Sequence, residues 1–549
     1  MVTWRMRLGG ALAGVLAAGA GVGAAELVAR LAGASSPLVA VGNSAIDYAP
    51  PFAKDFAVRT FGTADKIVLI GGVIATLALI AAVAGAIGVT RRLPALIMAG
   101  SLGAVALVAA LSGRATSSSF VDRVLPSVVA IVVSVAALAW LLSAFRRPSV
   151  DRSNAGPAVN SGAAGSPGGI APPAAPVSTS PAAGAHVYTG SDDLIGFDRR
   201  RFLASAVAVG AVGAVGGAGP LLLPAADVTG DVVLPVAAEI LPAQTAETDF
   251  GIEGLSSYVT PNADFYRVDT SLTVPQVDAT SWRLRVHGLV DKELDLSFED
   301  VLARRLVERD ITLTCVSNEV GGPYVGNARW IGTSIAELLE EAGVQEGADA
   351  VKSTAVDGFT IGTPLAALTD GRDAILAVGM NGEPLPPVHG FPVRMVVPGL
   401  YGYVSATKWV VDIEVTRFAD FQAYWTPRGW AVEGPIKVAS RIDVPKSFAK
   451  VAAGPVVVAG VAWAQTRGIT GVEVSVDGGD WQPAELAAED TVDTWRQWKY
   501  TWDASAAGAG SHDISVRATD ATGETQTQER LPPRPNGSSG WHNVVVTLA

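Results

Sequence analysis

The chain has one cysteine in 549 residues, Cys315. A lone thiol forms no internal disulfide and cannot hold an iron–sulfur cluster, which needs several thiolates. No C-x-x-C-H stretch occurs, which excludes covalent c-type haem. Histidine is nearly as scarce: His186, His287, His389, His512 and His542 are the full set, and none sits in a long apolar run. A bis-histidine haem therefore cannot be built inside such runs, and no haem or iron–sulfur site is expected in this chain. Neither a G-x-G-x-x-G nor a Walker sequence is found, so nucleotide phosphates lack an evident cradle. Positive charge is in deficit as well, with a net charge of −12, which argues against a nucleic-acid partner.

Apolar length is abundant, and it is concentrated in the first 225 residues. Runs at 8–25, 67–89, 93–111, 124–145 and 203–223 each approach the ~20 residues that cross ~30 Å of hydrocarbon. Arg5 and Arg7, Arg91 and Arg92, Arg146, Arg147 and Arg152, and Arg199 to Arg201 flank them. If these clusters face the cytoplasm, five crossings alternate without conflict. The amino terminus is then cytoplasmic, and everything after about residue 224 is extracytoplasmic, on a multi-pass plasma-membrane protein. Only Glu26 and Arg30 come near the edge of a span, which favours an anchor over a transport path.

Residues 1–147 thus read as a four-span region. Residues 148–197 are dominated by Ala, Gly, Pro and Ser and read as a disordered tether. Residues 198–224 carry Arg199-Arg200-x-Phe202-Leu203 before a mild apolar run. That order resembles a twin-arginine export signal, while a plain cytoplasmic flank is the simpler alternative.

From about 245 the texture changes to mixed strand and helix signals. WRLRVHGLV (282–290) alternates as a strand does. Ser297 with Asp300, and Ser334 with Glu337, precede short helical patterns, and Gly343 closes the second. The absence of a regular βαβ repeat argues for α+β over residues 245–435. Residues 436–549 alternate in short strands with an Asp-Gly turn at 477–478, as an antiparallel sandwich requires. Trp463, Trp481, Trp495, Trp498 and Trp502 are expected mainly in its core.

Four stretches carry a resemblance: TPNADFYRVDTSLTVPQVD (260–278), LTCVSNEVGGPYVGNARWIG (313–332), NGEPLPPVHGFPVRMVVPG (381–399) and ATKWV (406–410). In order and spacing this half resembles the sulfite oxidase family of molybdenum enzymes. On its own Cys315 reads equally as a buried small hydrophobe. The resemblance implies that its thiolate ligates molybdenum, together with the dithiolene of a molybdopterin. It implies that Phe265, Tyr266, Arg267 and Asp269 wrap the pterin, with Asn318 beside the metal cysteine. His389, Arg394, Thr407 and Lys408 would hold the cofactor and its phosphate, and Arg267 and Arg329 would orient substrate. A depressed thiol pKa is expected at Cys315, because the metal holds the deprotonated form. The final domain resembles the family's immunoglobulin-like dimerisation domain, which implies a homodimer. The implied chemistry is oxygen-atom transfer, with electrons passing to an external carrier, a cytochrome or a quinone.

Two departures bear on substrate. Glu319 and Val320 stand where sulfite-oxidising relatives carry paired arginines, and Phe359 stands where they carry a tyrosine. Sulfite or a related small compound is the first expectation. A sulfoxide reductase with the same cofactor is the second, and a non-catalytic binding module on a membrane stalk is the third.

Overall fold

A computed structural model describes residues 3–146, 196–222, 228–230 and 232–548, apart from 33, 35, 51, 52, 54, 55, 57–59, 62–64 and 113–119. The expected tether lies outside the described residues except at Gly196 and Phe197. Two compact units result, one of residues 1–42, 64–111 and 120–223, the other of 43–63, 112–119 and 224–549.

The first unit is helical: α1 (Trp4–Leu31), the start of α2 (Pro37–Tyr48), α3 (Asp65–Gly88), α4 (Arg92–Ser112), α5 (Phe120–Leu142) and α6 (Arg199–Leu222). Among the described residues four helices are long and apolar enough to cross a membrane: Trp4–Leu31, Lys66–Gly88, Arg92–Ser112 and Phe120–Leu142. Helix α6, the expected fifth span, is not one of these four; three arginines fill its first turn. Helix α1 is the hub, and small residues make it so. A Cβ added at Gly21 would lie 2.7 Å from the Ala130 carbonyl of α5, and one at Gly23 would lie 2.6 Å from the Gly213 carbonyl of α6. One at Gly14 would collide with the Ala81 carbonyl of α3. Glycine lets these backbones touch, which is how helices associate where no hydrophobic driving force separates them from lipid. Phe145–Arg146 pairs with Gly196–Phe197 as a short antiparallel ladder.

The second unit contains an antiparallel sheet, a mixed sheet and a sandwich. In the first sheet β3 (Leu306–Thr314) and β4 (Val325–Ser334) form a long hairpin, and β7 (Ile375–Met380), β8 (Glu383–Pro384) and β9 (Arg394–Val396) extend it. In the second, β2 (Leu294–Ser297), β1 (Arg283–Gly288), β10 (Val410–Thr416), β5 (Ala350–Ala355) and β6 (Thr360–Pro364) lie in that order, with only β1 and β10 parallel. Helix α7 (Phe298–Leu302) starts with the expected capping box at Ser297 and Asp300. Helix α8 (Ile335–Ala342) starts where Ser334 accepts the Glu337 N–H at 3.3 Å, and stops at Gly343, φ +69°. Leu338 and Leu339 of α8 pack into the shared core with Val286, Val351 and Ile413. The chain joins this domain before residue 245, because Glu239 bridges Val307 in parallel.

The last domain is an antiparallel sandwich. One sheet runs β11 (Ala439–Val444), β12 (Pro455–Trp463), β14 (Arg496–Asp503) and Glu485–Leu486. The other includes β16 (His542–Leu548), β15 (Gly510–Asp520) and β13 (Ile469–Val476). Asp477 and Gly478 both take positive φ, 52° and 69°, as a two-residue primed turn requires. Trp498 and Trp502 are in its core. Trp463 and Trp495 instead pack with Tyr258, Val316 and Tyr401, joining the sandwich to the rest of the unit. Trp481 is half-buried, stacked edge-on against Trp541 at 4.7 Å.

Leu338→Ala leaves a cavity in a fully buried position. It is expected to cost about 2–5 kcal/mol, read as a lowered Tm of the purified chain with helix content retained.

Candidate active site

Strand β3 ends at Thr314, and Cys315 follows at 9% exposure. The Cys315 N–H donates to the Tyr324 carbonyl at 3.0 Å, and Asn318 closes the turn by accepting the Tyr324 N–H at 2.8 Å. Asn318 therefore shapes the loop that carries the thiol. The Cys315 Sγ lies 2.9 Å from the Ser317 hydroxyl. Without a metal, burial pushes the thiol pKa up, against the smaller opposing pull of Ser317 and Lys408. A bound metal cation would reverse that balance.

Period-2 alternation decides which side chains share the site. Ile311 and Leu313 of β3 cluster with Trp330 of β4, Phe265 and Phe391. Cys315 continues that parity. Phe265 stacks on Tyr266 at 5.1 Å and meets His389 edge-on at 5.5 Å. His389 Nε2 lies 2.8 Å from the Asn262 carbonyl, and burial with three neighbouring cations holds its pKa at about 4.

Gly390, φ +118°, turns the chain between His389 and Arg394. A Cβ there would lie 3.0 Å from the Arg394 Cβ and 3.2 Å from the Lys408 Cα. Arg394 is 5% exposed and lies over the Trp330 ring at 4.9 Å. Its guanidinium donates to the His389 carbonyl at 3.0 Å and to the Met395 carbonyl at 3.4 Å. Among the described residues no carboxylate pairs with it, and burial lowers its pKa to about 10.

Lys408 is buried beside Asp269 at 2.7 Å and donates to the Val388 carbonyl at 3.2 Å; burial brings its pKa to about 8. Asp269 also takes Arg267 at 2.9 Å. Thr407 bonds the Ser353 hydroxyl at 2.6 Å, and its carbonyl accepts the Met395 N–H. Arg267, Arg394 and Lys408 thus converge with one carboxylate among them, and each acts on the electrostatics of His389.

Arg329 is a correction. It lies on the opposite face of β4, where it grips Asp310 with two bonds of 3.0 and 2.7 Å and donates to the Pro242 carbonyl at 3.0 Å. Strand alternation sends Trp330 toward the thiol's face and Arg329 away from it. Glu319 is exposed, and Phe359 packs edge-on against Tyr424 at 5.3 Å. Sequence reasoning missed Trp330, which underlies Arg394. The signal was present in the parity of β4.

The residues fit a molybdopterin on two counts. A buried guanidinium without a counter-ion suits a phosphate, and a buried thiol beside a cation suits a soft metal.

Comparisons with known proteins agree. Residues 271–425 match the oxidoreductase molybdopterin binding domain, and residues 440–516 match the bacterial Ig domain. The mitochondrial sulfite oxidase of Rattus norvegicus is 30% identical over 344 residues, 53% of this chain and 62% of that protein. The sulfite oxidase of Gallus gallus is 30% identical over 335 residues, 52% of this chain and 72% of that protein. The uncharacterized oxidoreductase YuiH of Bacillus subtilis (strain 168) is 39% identical over 157 residues, 29% of this chain and 76% of that protein. The chain belongs to the sulfite oxidase family of molybdopterin oxidoreductases. It spans 62% of the length of the mammalian relatives it matches.

Arg329→Ala leaves Asp310 buried and unpaired, and is expected to cost about 3–5 kcal/mol. Molybdenum per folded molecule should stay unchanged, and R329M/D310L should recover most of the loss. His389 is expected to report in acid. Its folded pKa of about 4 lies below the ordinary 6.5, so the unfolded chain binds more protons between those values. Stability of the cofactor-free protein should fall as pH drops through that window, and His389→Gln should flatten the slope measured by denaturant titration.

Proposed function

We propose that this chain is a membrane-anchored, extracytoplasmic molybdenum oxidoreductase that transfers an oxygen atom to or from a small anionic or polar substrate, sulfite first among candidates. The observation that carries the reading is the convergence of a buried thiol with Arg394, Lys408 and Arg267 against the single carboxylate of Asp269. The sequence resemblance and the relatives' names support the reaction class.

When bound, the molybdopterin supplies two-electron oxygen-atom chemistry. The chain's own residues do the rest. Cys315 offers the metal a thiolate from the rigid end of β3. Arg394, held over the Trp330 ring, would hold the cofactor's anionic end. Lys408 is held in place by Asp269, so its ammonium stays charged and fixed. Arg267, partly exposed and tied to Asp269, is the cation nearest to solvent in the cluster and orients an incoming anion. His389 stays neutral, fixed by the Asn262 carbonyl. Phe265 and Trp330 exclude water from the site's floor. Electrons pass to a separate carrier, a cytochrome or a membrane quinone. The immunoglobulin-like domain pairs two chains.

A second reading, sulfoxide reduction with the same cofactor, is favoured by one observation. Phe359 and Val320 replace groups suited to a small dianion.

Cys315→Ser is expected to lower turnover at least 100-fold under either direction. Purified protein from a molybdenum-replete host should contain about one molybdenum per chain. Activity with sulfite and an acceptor supports oxidation, and activity with a sulfoxide and a donor supports reduction. A metal-free, inactive wild-type protein would overturn both in favour of a binding module.

A further inference from the structure

A cavity of about 560 Å³ opens between the 255–264 and 321–325 segments and the sandwich strands β11 and β16. Ser256, Asp264, Gly321, Arg441, Lys446 and His542 are among its walls, and none of Cys315, Asp269, Arg394 or Lys408 is. It is a different space from the thiol site.

His542 is its inner polar group. Nδ1 accepts the Ile442 N–H at 2.9 Å. A neutral imidazole with an accepting Nδ1 carries its proton on Nε2. Burial, reinforced by Arg441, Arg530 and Lys446, keeps the ring neutral, with a pKa of about 4. Among the described residues the Nε2–H has no hydrogen-bond acceptor. Gly321, φ +80°, stands against that edge of the ring, where any side chain would collide with it.

Charge around the ring favours an anion. Arg441 is committed to Asp443 at 2.7 Å, the Gly322 carbonyl at 2.9 Å and the Ser256 hydroxyl at 2.8 Å. Asp443 is neutralised by that pair. Lys446, on the wall, and Arg530, which lies outside the lining but acts on the ring, make no ion pair among the described residues, and both are exposed. Among the wall residues, Asp264, which is exposed, is the one carboxylate besides the paired Asp443. Pro323, Val325 and Val544 supply apolar wall.

We propose that this cavity binds a tetrahedral oxyanion, with the His542 Nε2–H as its inner donor and Lys446 and Arg530 as its counter-charges. The anion is either free or the head of a small organic molecule whose remainder lies on the apolar wall. The site borders the loop that returns from Cys315 to β4, and it does not depend on the molybdenum reading.

The test uses the full chain in lipid nanodiscs at low ionic strength. Equilibrium dialysis with radiolabelled inorganic sulfate, and calorimetry with ethanesulfonate, give the affinities. Wild type and C315S should bind alike, and K446Q/R530Q should bind at least tenfold more weakly. Both substituted side chains are exposed, so the fold should survive, with unchanged Tm as the check. Tighter binding of ethanesulfonate assigns the site to an organic anion, and equal or tighter sulfate binding assigns it to the free ion. Loss of binding in C315S, unaltered binding in K446Q/R530Q, or no saturable binding of either probe would overturn the proposal.

Discussion

A buried guanidinium without a carboxylate is the constraint from which the site follows. Arg394 sits under the protein surface with two carbonyls and an indole for company. Taking a charge out of water is costly unless it is paired. The fold tolerates this one because β9 and the Gly390 turn hold the side chain in place, where an anionic group can supply the missing charge. Lys408 adds to the imbalance and Asp269 relieves only part of it. The same excess of positive charge keeps His389 neutral. An anionic cofactor would satisfy in one step what the protein alone leaves unbalanced.

The two hairpin faces divide the labour. Ile311, Leu313 and Trp330 build the wall behind the thiol. Asp310, Thr312, Asn327 and Arg329 lie on the other face, and that face is stitched to the sandwich. Gln465 donates to the Thr312 carbonyl at 2.7 Å, and the Trp495 N–H donates to the Thr312 hydroxyl at 2.7 Å. The sandwich thus braces the strand whose end carries Cys315. A change in that interface can move the thiol without touching it.

Much of this was legible beforehand. Helix caps at Ser297 and Ser334, the Asp-Gly turn, and the long apolar runs are local features, set by neighbours within a few residues. The grouping of Cys315 with His389, Arg394 and Lys408 was legible only through resemblance, because the thiol lies more than 70 positions before the other three. Arg329 was misjudged because its charge was weighed without its strand parity. The burial that raises the metal-free thiol's pKa is something a linear sequence does not report. The sixth helix was read as a span from its composition, and the four candidates found among the described residues do not include it.

Sequence by itself determined the local grammar: where helices and turns begin and stop, which segments are apolar enough for a bilayer, and which residue types could serve a soft metal and a phosphate. Tertiary structure decided which of those residues meet. Charge pairing, burial and the side of a strand depend on distant partners, and a linear chain carries no distances. That is why Arg329 belongs to Asp310, and why Arg394, left without such a partner, belongs to the site.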